Sequence, residues 1–342
     1  MSTSKVQIVR TTKELRAIVA AWRREGHQVA LVPTMGALHA GHLSLAEEGL
    51  RRAGRVVMSI FVNPTQFAPG EDLDSYPRTF DEDVEKFEQA GGHLIWAPTP
   101  GEMYPDGFAT RVIPEGAASG LETDFRPHFF SGVATVCCKL FTQTLPDYAM
   151  FGEKDYQQLC VVRQMVRDLD LPLEIIGCPT IREADGLAMS SRNAYLSTDE
   201  RRTSVAIHTA ITDVAAQIAA GIEIAQACHD AEQKLKSAGF GPVDYVAVRD
   251  AETLAAVLGL QHAEIFALAV FQVVGQEVGG GDPVAGDCAV IEIAGHDGDV
   301  IDLAFFLGDG HGQGSVRDLE GIALAVLRGA HQREFVDFAL CS

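Results

Sequence analysis

The sequence predicts an α/β protein built on a doubly wound parallel sheet, and three observations carry this prediction. Apolar runs such as 29–32 and 55–62 are short and almost continuously apolar, as strands buried on both faces are. Stretches with helical periodicity alternate with these runs through the first half of the chain. Polar or glycine-containing turns follow several strands, at the edge of such a sheet where ligands bind.

The individual elements have local sequence signals. Thr11 and Glu14 have the spacing of a capping box, so the first helix starts there and ends around Gly26. The predicted strands are residues 6–9, 29–33, 55–62, 93–97, 148–151 and 173–177. The later helices are predicted at residues 43–53, 79–90 and 131–145 and from residue 154 onward.

The pattern changes after Asn193, where strand and helix no longer alternate regularly. Helices are predicted at 198–219 and 222–238 and a strand at 243–249, which we interpret as a smaller α+β domain. From Gly275 the chain is rich in glycine and aspartate, with strand-like runs at 289–293 and 300–307. The predicted division is therefore a sheet domain at 1–186, a smaller domain at 187–274 and an atypical extension at 275–342.

Composition and charge argue against several classes of partner. The chain has 342 residues, of which 47% are hydrophobic and 22% charged, as in soluble globular proteins. A net charge of −20 is unfavourable for binding nucleic acid or an anionic membrane. Seven cysteines without a C-x-x-C pair fit reduced thiols, and no apolar run has the length of a signal core or a membrane span. We therefore expect a cytoplasmic protein.

The turn at residues 34–42 is the strongest candidate for a functional element. It follows a buried strand, contains Gly36 and Gly41, and carries His39 and His42 three residues apart just before a helix. A helix N-terminus offers free N–H groups to phosphate oxygens, and imidazoles beside it can donate hydrogen bonds or, if protonated, neutralise charge. The alternative is a surface turn that happens to contain two histidines.

Two further loops follow predicted strands. At residues 152–158, Lys154 can meet a phosphate, Asp155 can accept a hydrogen bond from a ribose, and Gln158 faces the same side one turn later. Gln66 lies in a loop rich in turn-forming residues. The alternatives are a capped helix with solvated charges and a surface glutamine.

A fourth candidate lies at the proposed domain boundary, and a fifth could hold a metal. The loop that contains Ser190, Ser191 and Arg192 can bind the distal phosphates of a nucleotide and close over them. Alternatively, it is a polar linker. The acidic run 81–83 could bind Mg²⁺ through carboxylate oxygens. Alternatively, it is the acidic first turn of a helix, which the helix dipole favours.

Together these stretches resemble one enzyme family. Residues 39–42 are similar to the H-x-G-H element of the nucleotidyltransferase superfamily, and residues 189–192 to its K-M-S-K-S-type element. Over residues 5–255 the chain resembles the pantoate–β-alanine ligases, through motifs that occur in the family's order. These motifs are PTMG at 33–36, FVNPTQF at 61–67, YPRT at 76–79, FGEKDYQQ at 151–158 and DGLAMSSRN at 185–193.

The resemblance implies a Rossmann-like nucleotidyltransferase domain and a two-step, ATP-dependent condensation of pantoate with β-alanine through pantoyl adenylate. It implies that His42 is a general acid, with His39, Lys154 and Arg192 as the other catalytic residues. It further implies that Gln66 contacts pantoate and β-alanine and that Gln158 contacts pantoate. The implied ATP-binding residues are Met35, Gly36, Ala37, Leu38, His39, Ala40, Gly41, His42, Gly152, Glu153, Lys154, Asp155, Ile181, Met189, Ser190, Ser191 and Arg192.

The family also implies Mg²⁺, with Glu82 and Asp83 as candidate ligands, and a homodimer formed through the first domain. The sequence departs from the family pattern at His128, which many members carry one position later, and we leave His128 unassigned. It departs again after about residue 255, where the usual basic final strand is absent. Two other functions remain open: another adenylyltransferase of the superfamily, and a nucleotide-binding protein without catalysis.

Overall fold

A computed structural model describes residues 5–257 and three strand segments, 265–272, 287–295 and 301–305. The strands of the first sheet are β1 (Gln7–Val9), β2 (Val29–Thr34), β3 (Arg55–Ile60), β4 (Leu94–Trp96), β5 (Tyr148–Gly152) and β6 (Glu174–Cys178). The helices up to β6 are α1 (Thr12–Arg24), α2 (Ala40–Arg52), α3 (Phe80–Gln89), α4 (Pro100–Met103), α5 (Glu122–Phe125), α6 (Phe129–Thr144) and α7 (Tyr156–Asp168). This part of the chain has the predicted α/β fold.

The first sheet is parallel throughout, with the strand order β1-β4-β3-β2-β5-β6. Each face has its own hydrophobic core: one contains Leu15 of α1, Leu140 of α6 and Leu159 of α7, and the other contains Leu45 of α2 and Phe87 of α3. Helices on both faces explain why β2 and β3 consist almost entirely of buried apolar residues. The doubly wound sheet is confirmed.

The order of strands reverses between β2 and β5, because the chain continues from β2 to β3 on one side and returns at β5 on the other. β2 pairs with β3 along its full length to Thr34, whereas its pairing with β5 stops at Leu31 and Ala149. A crevice can therefore open between β2 and β5 at the carboxyl end of the sheet, the place where such folds bind ligands.

Several predicted helix starts differ from the structure by two or three residues, and two of these differences concern this edge. Helix α2 begins at Ala40 rather than at residue 43, because His39 serves as its N-cap. Helix α7 begins at Tyr156 rather than at Lys154, because Glu153–Asp155 form a 3₁₀ turn first. The capping box of Thr11 and Glu14 at α1 is confirmed.

The second half of the chain contains α8 (Thr198–Ser204), α9 (Ala206–Ala219), α10 (Ile224–Ser237), β7 (Tyr245–Asp250), β8 (Ile265–Gln272), β9 (Asp287–Gly295) and β10 (Ile301–Phe305). The single helix expected at 198–219 is divided in two around Val205. Helices α9 and α10 pack on Val248 of β7 and form a separate core.

Strands β7 to β10 form an antiparallel sheet in the order β10-β9-β8-β7. Two of these strands, β9 and β10, belong to the segment at 275–342 that the sequence identified as an extension. The predicted boundary at residue 275 therefore falls between strands of one sheet. The three-part division remains a proposal, and the rest of the extension lies outside the described residues.

Candidate active site

A cavity of about 750 Å³ opens at the carboxyl ends of β2 and β5. Its wall includes one apolar side, formed by residues such as Phe61, Phe130 and Val133, and several groups of polar residues. Most of the sequence-predicted site residues line it: Met35, His39, Gly41, His42, Gln66, Gly152, Lys154, Asp155, Gln158, Ile181, Met189, Ser190, Ser191 and Arg192. Residues that lie far apart along the chain thus meet in one place.

The other predicted residues are not part of the cavity wall. Gly36, Ala37, Leu38 and Ala40 belong to the turn but do not line the cavity, and Leu38 is buried. Glu153 belongs to the 3₁₀ turn that precedes α7, and burial raises the pKa of its carboxyl. The roles of these five residues as ATP contacts remain predictions.

The two histidines of the turn hold each other in place. The N–H of Gly41 donates to Nδ1 of His39 (3.2 Å), and the N–H of His39 donates to Nδ1 of His42 (3.4 Å). The two rings lie 4.1 Å apart between their centres. This is a capping box built from imidazoles, and it leaves Nε2 of each ring for other partners.

Both histidines are uncharged at neutral pH. Burial, followed by the positive charges of Lys154 and Lys86, lowers the pKa of His39 to about 4. Burial, followed by the neighbouring His39, lowers the pKa of His42 to about 3. Since each Nδ1 accepts a hydrogen bond, each ring carries its proton on Nε2. The pair therefore offers two neutral N–H donors to an anion.

A carboxylate from α3 fixes the main chain of the same turn. Asp83, which is 1% exposed, accepts hydrogen bonds from the N–H groups of Ala37 (3.0 Å) and Leu38 (2.7 Å) and from Oγ1 of Thr79 (3.2 Å). The turn has left-handed backbone at Gly36 (φ +92°) and Ala37 (φ +50°). Sequence reasoning missed this anchor, because it treated Asp83 as a candidate metal ligand.

Glu82 and Asp83 do not fit a magnesium site. Both oxygens of Asp83 are occupied by hydrogen bonds from the turn and from Thr79, and neither acid lines the cavity. Glu82 is exposed and lies 3.8 Å from the ammonium group of Lys86. Within the described residues, no group of three or more His, Cys, Asp or Glu is arranged to hold a metal ion. Metal binding by this pair stays a prediction that its contacts do not support.

Gln66 is oriented by three neighbours. Its Oε1 accepts from Nδ2 of Asn63 (3.1 Å), its Nε2 lies 3.5 Å from Sδ of Met35, and its main-chain oxygen accepts from Nη2 of Arg126 (3.1 Å). Asn63, 1% exposed, is itself held by the hydroxyl of Tyr104 (2.7 Å). The amide of Gln66 therefore has a defined position in the cavity wall.

Helix α6 approaches this loop closely. A Cβ atom at Gly132 would lie 2.5 Å from the carbonyl oxygen of Thr65 and 2.9 Å from Cα of Gln66. Only glycine permits this packing, because no real Cβ atom approaches a backbone atom so closely. Gly132 thus sets the position of the Gln66 loop against α6.

The other predicted polar residues have fewer contacts. Nζ of Lys154 lies 3.2 Å from Oδ1 of Asp155 and is mostly shielded from solvent, at 19% side-chain exposure. Gln158 lies on the first turn of α7 and is half-buried in the cavity wall. Its neighbour Gln157 is buried and serves the fold, donating to the carbonyl oxygen of Ala117 (3.1 Å).

The loop at 190–192 is tied to two distant segments. Oγ of Ser191 donates to the carbonyl oxygen of Ala37 (3.0 Å), which joins this loop to the histidine turn. Nε and Nη2 of Arg192 each lie 3.0 Å from a carboxylate oxygen of Asp72, and the guanidinium lies 5.7 Å from the ring centre of Tyr76. Sequence reasoning identified Arg192 but not Asp72, which gave no local signal.

A second arginine of the cavity wall was also missed. Arg126 pairs with Glu71 and Glu122 (2.6 and 2.8 Å) and lies 4.1 Å from the ring centre of Phe129. Phe129 occupies the position at which the family resemblance led us to expect a histidine. His128 precedes α6 and does not line the cavity, so it remains without an assigned role.

Residues from the second half of the chain complete the wall of the cavity. Pro242, Asp244 and Tyr245 line it, and the ring of Tyr245 lies 5.8 Å from that of Phe125. The hydroxyl of Tyr156 at the start of α7 donates to the carbonyl oxygen of Ala251 (3.1 Å).

None of the helices in the described residues is both long and apolar enough to cross a bilayer.

The chain is similar to pantoate-beta-alanine ligases and pantothenate synthetases over most of its length. A family model described as pantoate-beta-alanine ligase matches residues 7–277. The pantothenate synthetases of Mesorhizobium japonicum and a Bradyrhizobium species are 57% and 56% identical to it over 256 and 252 residues. These alignments cover 74% and 73% of this chain and 89% of each relative.

Two solved structures have the same fold. Pantothenate synthetase from Thermus thermophilus is 42% identical, with a TM-score of 0.73, and the match covers 82% of this chain and 99% of that one. Pantoate-beta-alanine ligase from Francisella tularensis, solved as a complex with beta-gamma ATP and beta-alanine, is 29% identical, with a TM-score of 0.66. That match covers 82% of this chain and 97% of the other. By sequence and by fold, the chain belongs to the pantoate–β-alanine ligase family.

Proposed function

We propose that this protein condenses pantoate with β-alanine in an ATP-dependent reaction that passes through pantoyl adenylate and yields pantothenate, AMP and pyrophosphate. One observation carries the proposal: a single cavity joins a phosphate-binding turn, with His39 and His42, to two uncharged amides, Gln66 and Gln158. The turn suits the triphosphate of ATP, and the amides suit an acceptor with hydroxyl and carboxylate groups but no phosphate.

In the first step, a carboxylate oxygen of pantoate attacks the α-phosphorus of ATP. A new P–O bond forms, the bond from the α-phosphorus to the oxygen that bridges to the β-phosphate breaks, and pyrophosphate leaves with that electron pair. Negative charge increases on the phosphate oxygens as this happens. Nε2–H of His42 and His39 and the ammonium of Lys154 stabilise this charge as preorganised donors.

We propose for His42 a role other than the general acid that the family resemblance implies. A general acid gives up its proton, whereas a neutral imidazole with Nδ1 already bonded is a very weak acid at Nε2. We therefore infer that His42 acts as a hydrogen-bond donor to the α-phosphate. Ser190, Ser191 and Arg192 hold the departing β- and γ-phosphates.

In the second step, the amine of β-alanine attacks the acyl carbon of pantoyl adenylate. A C–N bond forms, the C–O bond to AMP breaks with its electron pair leaving on the phosphate oxygen of AMP, and the amine nitrogen loses one proton to solvent. Gln66, fixed by Asn63 and Arg126, orients both the bound acyl group and the incoming amine. The cavity wall supplied by Asp244 and Tyr245 limits the access of water to the anhydride.

Three further features of the proposal rest on the family resemblance or on composition and charge rather than on the cavity. Mg²⁺ accompanies the phosphates of ATP and balances their charge, without a ligand from Glu82 or Asp83. Two copies of the chain associate as a homodimer through the sheet domain. The enzyme acts in the cytoplasm, with pantoate, β-alanine and ATP as its partners and without nucleic acid or membrane.

The test is the release of pyrophosphate from purified protein, ATP, Mg²⁺ and pantoate before β-alanine is added. We expect one pyrophosphate per active site in a rapid phase, followed by steady turnover once β-alanine is present. A reaction that needs a phosphorylated acceptor instead of pantoate would indicate another adenylyltransferase. The absence of pyrophosphate with any acceptor would indicate a nucleotide-binding protein without catalysis.

A further inference from the structure

The segment between the Gln66 loop and α3 carries two consecutive acids, Glu71 and Asp72. Each binds a different arginine of the cavity wall: Glu71 binds Arg126, and Asp72 binds Arg192. Asp72 is the more deeply placed, with 2% of its side chain exposed. A buried carboxylate of this kind needs a charged partner within hydrogen-bonding distance to offset its loss of hydration. Arg192 provides it, with two contacts of 3.0 Å.

The geometry of this pair leaves one end of the guanidinium available. Asp72 takes the edge formed by Nε and Nη2 of Arg192. Nη1 makes no hydrogen bond to the part of the chain that the structure describes, and Arg192 lines the cavity. A guanidinium can bind a carboxylate along one edge and donate from its remaining N–H groups to another anion.

Other contacts fix the same group. The ring of Tyr76, which belongs to the same segment as Asp72, has its centre 5.7 Å from the guanidinium carbon of Arg192. The hydroxyl of Tyr195 donates to the carbonyl oxygen of Ser75 (3.2 Å), so the segment holds the loop of Arg192 at a second point. An arginine held in this way loses little freedom when it meets a phosphate.

We propose that Asp72 is a positioning residue for the first step: it holds the Nε–Nη2 edge of Arg192 so that Nη1 faces the departing pyrophosphate. The inference rests on the proposed function. It concerns only the step in which pyrophosphate is present. In the second step the leaving group is AMP and no pyrophosphate is present, so the orientation of Arg192 does not affect the rate of that step.

The test compares the two half-reactions in one preparation of each variant. Adenylation is followed by pyrophosphate release from ATP, Mg²⁺ and pantoate, and aminolysis by AMP release from synthetic pantoyl adenylate and β-alanine. In D72N we expect adenylation to fall about 10- to 100-fold, because misplacement of a reacting group has effects of this size. Aminolysis should stay within about twofold of the wild-type rate, since no contact of Asp72 acts in that step.

Asp74 provides the matched control, because it is an exposed aspartate of the same segment. D74N removes the same charge and should leave both rates unchanged. Equal losses in both half-reactions of D72N would assign Asp72 a structural role and overturn the proposal. Wild-type rates in both half-reactions of D72N would also overturn it. If the wild-type protein releases no pyrophosphate, the proposed function itself fails.

A second variant keeps the proposal testable if D72N does not fold. R192K retains the charge pair with Asp72. An ammonium group, however, is not planar, so it cannot bind Asp72 along one edge and direct another N–H group at a phosphate. We expect R192K to show the same selective loss of adenylation, and D72N/R192K to show no further loss, because Asp72 acts through the guanidinium. A wild-type ratio of rates in R192K, or additive losses in the double variant, would contradict the inference.

Discussion

The histidine turn at residues 34–42 and the loop at 190–192 both line the cavity and both bind phosphate groups in the proposed function, yet they are built differently. The histidines of the turn are fixed by hydrogen bonds between residues two or three positions apart, such as Gly41 with His39. The loop is fixed by residues far away along the chain, Asp72 and Ala37. A local motif thus carries much of its own geometry, whereas the loop obtains its geometry from the rest of the fold.

The largest effect is expected within the local motif. H42A removes an N–H donor from the site of phosphoryl transfer and should lower the rate of pyrophosphate release by about 100-fold or more. The measurement is single-turnover pyrophosphate release at saturating ATP and pantoate. H229A, on the exposed side of α10, is the control and should keep full activity. Near-normal turnover in H42A would refute the role of His42.

The turn also has a remote anchor, Asp83, which can be changed without altering its size. In D83N, the side-chain NH₂ replaces one carboxylate oxygen and faces the N–H group of either Ala37 or Leu38. That N–H group then has no acceptor. We expect the free energy of unfolding in urea to fall by about 1–3 kcal/mol, with a higher KM for ATP. D81N, an exposed acid of the same helix, should change neither quantity. Unchanged stability of D83N would show that the turn holds its shape by local contacts alone.

A smaller effect is expected where the turn is most crowded. A Cβ atom in G41A would lie 2.9 Å from Cε1 of His39 and displace the ring, so kcat/KM for ATP should fall roughly tenfold. The stability of the protein should not fall in parallel, because alanine favours the helix that begins here. G101A, which introduces a Cβ atom into open space, is the control. Wild-type kinetics in G41A would mean that the ring of His39 need not hold this position.

The smallest effect is a dependence of stability on pH. The pKa values of His39 and His42 are about 4 and about 3 in the folded protein, below the value of 6.5 for a free histidine. Between pH 6.5 and pH 4 these two histidines are protonated in the unfolded chain but not in the folded chain. Their contribution to the free energy of unfolding is therefore fully present above pH 6.5 and is lost as the pH falls. Each histidine should cost about 1 kcal/mol between about pH 7.5 and pH 5.5.

The measurement for this prediction is urea unfolding at both pH values, for the wild type and for H39Q/H42Q. Glutamine does not titrate, so the double variant should lose about 2 kcal/mol less than the wild type over this interval. An identical pH dependence in the two proteins would show that both histidines take up protons in the folded state. That result would contradict their assignment as neutral donors.

The same contrast explains how far the sequence could be used for prediction. The alternation of strands and helices, the capping box of Thr11 and the turn with His39 and His42 depend on residues close together in the chain. The first sheet, and the meeting of most candidate residues at the carboxyl ends of its strands, were therefore predictable. The family resemblance added specific roles for Gln66, Gln158 and the loop at 190–192, which were candidates with weak local signals.

Contacts between distant residues gave no such signal. Asp72, Arg126 and the anchoring role of Asp83 became visible only when the fold brought their partners together. Asp83 was the most misleading case, because an acidic run in the first turn of a helix has the composition of a metal site and also that of a helix start. Its burial beneath the histidine turn distinguishes these roles, and burial depends on tertiary packing.

The absence of a side chain at Gly132 has a consequence for the shape of the cavity wall. Because α6 approaches the backbone of Thr65 and Gln66 there, the helix and the Gln66 loop lie closer together than any residue with a Cβ atom would permit. A single added methyl group on the helix would push the helix and the loop apart and move Gln66 with the loop. The position of this part of the cavity wall thus depends on a residue that does not itself line the cavity.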